Sequence, residues 1–204
     1  MSCSLAGVRP AQRKRKSGGS GRSSRTADIP RRTARYEDEP GYHEPSGLWF
    51  YGNIRLLHAS LVHIPHALGA IDVRPSVLDD IEREAETHVL QSRVLVCGFH
   101  NVAHMRSAIV PLRWGSPRIV VMSGGFKYHL GDDLLREPFL SATLWRERWD
   151  SRVDLAVSRR APNKLPTFAR HNATVDRLIM RLARGEMPGI CSPYDTLTPF
   201  LQPA

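Results

Sequence analysis

Residues Arg93–Met122 read RVLVCGFHNVAHMRSAIVPLRWGSPRIVVM. Two short apolar runs, Arg93–Cys97 (RVLVC) and Arg118–Met122 (RIVVM), bracket a stretch with helical spacing, Asn101–Leu112. Runs without polar alternation suit strands buried on both faces, as in a parallel sheet with helices packed against it. Gly98 follows the first run directly, and Ser123-Gly124-Gly125 follows the second. Strand, glycine turn, helix and strand make the βαβ unit of α/β folds.

The pattern extends in both directions. Upstream, Leu61–Ile64 (LVHI) predicts a first strand. A helix is expected to open at Ser76, with Ser76 and Asp79 as a capping box and Val77, Leu78, Ile81, Ala85 and Val89 as its apolar face. Downstream, Phe139–Trp149 predicts a helix and Asp154–Val157 a short strand. A final helix is expected over Ala173–Arg184, with Val175, Leu178, Ile179 and Leu182 on one face. The sequence holds no internal repeat. The expected fold is α/β, a Rossmann-like parallel sheet flanked by helices, over residues 36–204.

The chain has 204 residues, 41% of them hydrophobic and 24% charged, enough apolar content for a core. No run approaches the roughly 20 apolar residues that cross a bilayer, so no membrane association is expected. The N-terminus lacks the apolar stretch of a secretory signal. Cys3, Cys97 and Cys191 are too scattered for a disulfide framework or a zinc knuckle. A reduced, cytoplasmic protein is expected. Residues 1–35 hold ten of the 29 basic side chains against Asp28 alone, which accounts for the whole net charge of +9. The remaining residues hold nineteen charges of each sign. The tail, with its KRKSGGSGRSSR stretch at Lys14–Arg25, is expected to be disordered and to bind phosphate backbones without sequence preference. A solvated extension without function is the alternative.

In open parallel sheets ligands bind beyond the C-terminal ends of the strands. Two turns have that place here, Cys97–Asn101 and Ser123–Lys127. Glycines at Gly124 and Gly125 would let backbone amides approach a phosphate, with Lys127 and His129 adding charge or a hydrogen bond. Neither GxGxxG nor GxxxxGK[ST] is present, and no Gly-x-Ser-x-Gly elbow exists. His100 and His104 stand four apart, as metal ligands on one helix face do. No carboxylate or cysteine completes a zinc spacing, so they read as capping or hydrogen-bonded histidines. Cys97 reads as a buried structural thiol. No catalytic residue, metal or cofactor is expected.

Ser158–Asn172 (SRRAPNKLPTFARHN) concentrates Arg159, Arg160, Lys164, Arg170 and His171, with Phe168 between them and no acidic residue in the stretch. Cations for phosphates and a ring for a base suit single-stranded nucleic acid. The alternative is a solvated loop paired with the acidic helix near Glu82. Asn172 stands where it would cap the following helix.

In order and spacing these segments resemble the DNA-processing protein A (DprA/Smf) family. Pro45–Leu57 (PSGLWFYGNIRLL) is similar to its lead-in, where a proline precedes an aromatic strand and then Gly-Asn and two leucines. Val96–Ile109 (VCGFHNVAHMRSAI) is similar to its glycine loop and helix, and Ile119–Phe126 (IVVMSGGF) to the strand and turn that follow. Asp154–Ile179 is similar to its strand, proline-rich loop and asparagine-led helix. The resemblance implies an extended Rossmann fold, single-stranded DNA as partner, a recombinase loaded onto it in natural transformation, and a homodimer. It also implies DNA contacts at Gly98, His100, Lys127, Arg170 and Asn172. The family's Gly-Ser-Arg turn is absent: His63-Ile64-Pro65-His66 stands in its place, and the chain ends soon after Leu182.

Three functions stay open. The first is a DprA-like single-stranded DNA-binding protein without catalysis. The second is a nucleotide-binding or nucleoside-monophosphate-hydrolysing enzyme of the same superfamily, which a missing Thr and Glu after Gly125 count against. The third is a non-binding scaffold, which the cationic loop counts against.

Overall fold

The computed structural model describes residues 35–70, 72–166 and 172–189. The basic tail expected to be disordered lies outside these residues up to position 34, as do Phe168 and Arg170. Helix α1 (Arg35–Asp38) leads into a hairpin of β1 (Gly41–His43) and β2 (Leu48–Gly52). A 3₁₀ turn at Ile54–His58 precedes β3 (Leu61–Val62), and another at Pro65–Ala67 precedes α2 (Pro75–Leu90). Then follow β4 (Val94–Cys97), α3 (Val102–Arg113), β5 (Arg118–Met122), α4 (Phe126–Leu130), a 3₁₀ turn at Leu140–Leu144, β6 (Leu155–Ser158) and α5 (Ala173–Ala183).

One sheet of order β1-β2-β6-β5-β4-β3 holds all six strands. Strands β3 to β6 are parallel, while β2 pairs antiparallel with β6 and β1 antiparallel with β2. The expected parallel sheet is thus the larger part of a mixed α/β sheet. The strands of the centre are buried along their whole length, which is why they are written as continuous apolar runs. Successive side chains still alternate. Val94, Val96, Ile119 and Val121 pack with Leu178, Ile179 and Leu182 of α5. Cys97, Val120 and Met122 pack with Ala108, Ile109 and Leu112 of α3 and with Phe126 of α4. A third cluster joins Ile81, Ala85 and Val89 of α2 to Leu95 and Val110.

Two expectations change. Helix α2 starts at Pro75, with Arg74 as an N-cap that makes no side-chain bond, so Ser76 lies inside the first turn and forms no capping box. Proline takes the first helical position because its missing N–H would have no partner there. The expected helix over Phe139–Trp149 shrinks to the turn Leu140–Leu144. Phe139 and Trp149 are both drawn into the core, and an isolated bridge between Arg136 and Arg148 closes the segment as a loop. The aromatic strand implied by the family resemblance forms as β2, and α4 was not anticipated.

Candidate functional site

The parallel strands end at Val62, Cys97, Met122 and Ser158, and the loops beyond them meet at one edge of the sheet. After β6 the chain turns sharply. Ser158 Oγ donates to Gly124 O (2.8 Å) and accepts from Arg160 N (3.0 Å). The following residues lie across the turn after β5: Gly125 N donates to Lys164 O (2.7 Å) and Lys127 N to Pro162 O (2.9 Å). A Cβ on Gly124 would stand 2.7 Å from Pro166 Cα, and one on Gly125 would stand 2.3 Å from Ala161 O. These glycines admit the chain's own loop. The amides of Gly125 and Lys127, read from the sequence as a phosphate cradle, are engaged by backbone carbonyls in this structure.

What the packing presents outward is charge. Arg159, Arg160, Lys164 and Lys127 are exposed on the loop and beside it, with Arg160 Nη1 held on Leu165 O at 3.0 Å. Leu165 (68% exposed) and Tyr128 (42%) add apolar surface to the same edge. Asn172 accepts from Val175 N (3.2 Å), which makes it the cap of α5.

The turn after β4 is built differently. Gly98 is buried, and a Cβ there would meet His100 Nδ1 at 2.9 Å and Ile179 at 3.2 Å. Asn101 caps α3 by accepting from His104 N (2.8 Å), and its Nδ2 donates to Ala67 O (3.1 Å). His100 therefore precedes the helix, and the two histidines meet across its start, their rings 4.7 Å apart. Burial pushes the Cys97 thiol up to about 12, so it stays protonated and unreactive at neutral pH.

Between α3 and α5 lies a carboxylate that sequence reasoning missed. Asp176 Oδ1 stands 3.1 Å from Nε2 of both His100 and His104, and its Oδ2 accepts from Gly69 N (3.0 Å). The two imidazole side chains are 4% and 2% exposed, and that of Asp176 8%. His104 is hydrogen-bonded to Asp176, whereas His100 Nε2, equally near the carboxylate, makes no well-directed hydrogen bond, and its Nδ1 has no partner. A buried polar group left so costs about 1–3 kcal/mol. Burial alone would raise the Asp176 carboxyl, but the two histidines and the Gly69 N–H hold it well below the usual carboxylate range. Burial lowers His104 despite Asp176 beside it. The signal in the sequence was a lone acid at the apolar stripe of α5, three residues before Ile179.

Fold and site together define a class: a Rossmann-like α/β protein with a pinned cationic loop over the turn after β5 and a buried His-His-Asp cluster at the turn after β4. No protein-family model and no curated protein matches the chain. Among solved structures it is similar to DNA processing protein A from Helicobacter pylori, described as having a unique single-stranded DNA binding mode. The TM-score is 0.48 at 12% identity, over 73% of this chain. The chain spans 65% of that protein's length. No helix among the described residues is long and apolar enough to cross a membrane.

Proposed function

We propose that this protein binds single-stranded DNA along the loop after β6, with no chemical step. One observation carries the reading: Arg159, Arg160, Lys164 and Lys127 stand exposed on a backbone fixed by hydrogen bonds to the β5 turn, and no acid lies between Asp154 and Asp176. A rigid row of cations neutralises phosphates without first ordering itself, and Tyr128 and Leu165 offer surface on which a base can rest. The filled glycine turn at Gly124–Gly125 disfavours the nucleotide-binding alternative at that place. The finer reading, which rests on the family resemblance of the sequence, is a DNA-processing role in which a homodimer passes the bound strand to a recombinase. In it Phe168 and Arg170 flank the DNA path, and the buried Gly98 and His100 support it from beneath.

Titration of a labelled single-stranded oligonucleotide tests the site, in the full chain and in a chain beginning at Tyr36. The double substitution Arg159→Ala, Lys164→Ala is expected to weaken binding by about 1–3 kcal/mol in each. The logarithmic salt slope should fall by about 0.7 for each phosphate that the variant no longer neutralises. Unchanged affinity and slope in the chain beginning at Tyr36 would sink the loop as the site.

A further inference from the structure

We propose that His100 Nε2, His104 Nε2 and Asp176 Oδ1 form a binding site for one divalent transition-metal ion of the zinc type. The three atoms lie within 4.8 Å of one another, and each nitrogen stands 3.1 Å from the shared oxygen. Bonds of about 2.0–2.2 Å from zinc to nitrogen and oxygen require ligand atoms a little over 3 Å apart in a tetrahedral site. Two of the three separations, at 3.1 Å, are close to that requirement, and the third, within 4.8 Å, requires the two imidazoles to draw together around the ion.

The set has the chemistry of a site as well as its spacing. Two imidazoles and one carboxylate suit zinc and cobalt(II), and leave at least one position for water or another ligand. Gly69 N holds Oδ2 of Asp176 and so presents Oδ1 to the ion, the outer-shell support that orients a ligating carboxylate. His100 supplies the independent observation. Its side chain is 4% exposed, it is aimed at Asp176, and neither nitrogen makes a well-directed hydrogen bond. Only one imidazole is hydrogen-bonded to Asp176, but an ion at the focus takes a lone pair from both. Without metal, Gly98 N lies 3.4 Å from His104 Nδ1, so the ring proton sits on Nε2 and points to Asp176. Binding moves that proton to Nδ1, where it faces the Gly98 N–H, and exchanges both this long hydrogen bond and the one to Asp176 for bonds to the ion. The ligands come from the loop after β4, from α3 and from α5, so the ion would clamp the sheet edge on which the cationic loop rests.

The test uses the full chain without a polyhistidine tag, stripped with a chelator and titrated with cobalt(II) and then zinc(II). One equivalent of cobalt per chain is expected, with visible absorption of a low-symmetry nitrogen–oxygen site, displaced by zinc. Zinc should also raise the melting temperature. His100→Gln removes a side chain with no well-directed hydrogen bond in the fold, and it should weaken zinc binding by at least about a hundredfold while circular dichroism stays unchanged. Asp176→Asn is the second variant; if it fails to fold, His100→Gln alone decides. The proposal is overturned if the unaltered chain binds no metal. It is equally overturned if His100→Gln binds zinc as tightly as the unaltered chain, since exposed histidines would then be the ligands.

Discussion

At the scale of single residues, Arg118 shows how a charge is kept inside this fold. It opens β5 with no exposed surface. Its Nε donates to Asp154 (2.8 Å), its Nη2 to both oxygens of Glu137 (2.8 and 2.7 Å) and its Nη1 to Ala108 O (2.8 Å). Arg146 joins Asp154 from the loop, and the Phe139 ring lies under the guanidinium at 5.1 Å. Two cations face two anions, so the buried group is neutral as a whole. Arg118→Met keeps the apolar stem but removes the guanidinium, leaving buried Glu137 with only Phe139 N (3.4 Å) and the more distant Arg146 (3.9 Å), and it should cost about 3–5 kcal/mol in chemical denaturation. A loss below about 1 kcal/mol, the worth of a solvated pair, would show that water reaches Glu137. The sequence marked Arg118 only as the first letter of an apolar run, because its partners lie 19 and 36 positions away.

At the scale of elements, the three long helices α2, α3 and α5 end by one device. The residue after each cap turns left-handed, and two reverse hydrogen bonds close the last turn. In α3 this residue is Gly115 (φ 62°), and in α5 it is Gly185 (φ 69°). In α2 it is Ser92 (φ 59°), with Ser92 N on Val89 O (2.9 Å) and Arg93 N on His88 O (3.0 Å). A side chain in this conformation carries strain of about 1–2 kcal/mol, partly offset by the greater freedom glycine loses on folding. Ser92→Gly should therefore stabilise the protein by about 0.5–1 kcal/mol, read as a higher thermal midpoint with no change in the denaturant slope. The glycine-ended helices were visible in the sequence. The segment at Phe139–Trp149 was not, since its apolar spacing suits a helix while Leu140 and Leu144 are 87% and 82% exposed.

At the scale of the whole molecule, pH acts through a buried histidine. His129 stands in α4, edge-on to Phe99 at 4.3 Å between ring centroids. Burial, with the Arg136 charge as a second cause, lowers it from 6.5 to about 4. Between those values the unfolded chain binds a proton that the folded chain refuses, so stability rises with pH across that window. It is lost as pH falls from about 6.5 toward 4, by an order of 3 kcal/mol from this group. Denaturant titrations at several pH values should show the slope, and His129→Phe should make it shallower, with His104 and His63, which burial also lowers, supplying what remains. An equally steep slope in that variant would place the effect on other groups.

The amino-acid sequence alone determined the strands of the parallel sheet and the helices α3 and α5 to within a residue or two. A strand covered on both faces must be written as an unbroken apolar run, and a helix on one face must repeat its apolar residues at helical spacing. Both are local constraints, legible within ten or fifteen positions. What lies between those elements was decided by tertiary structure. Gly124 and Gly125 look alike whether they hold a phosphate or a backbone, and only the return of residues 161–166 fills the turn. Asp176 looks like one more helix charge until the fold carries it across 72 positions to His104. The partner of a polar group is set by which loops share an edge of the sheet, and that is a property of the assembled chain.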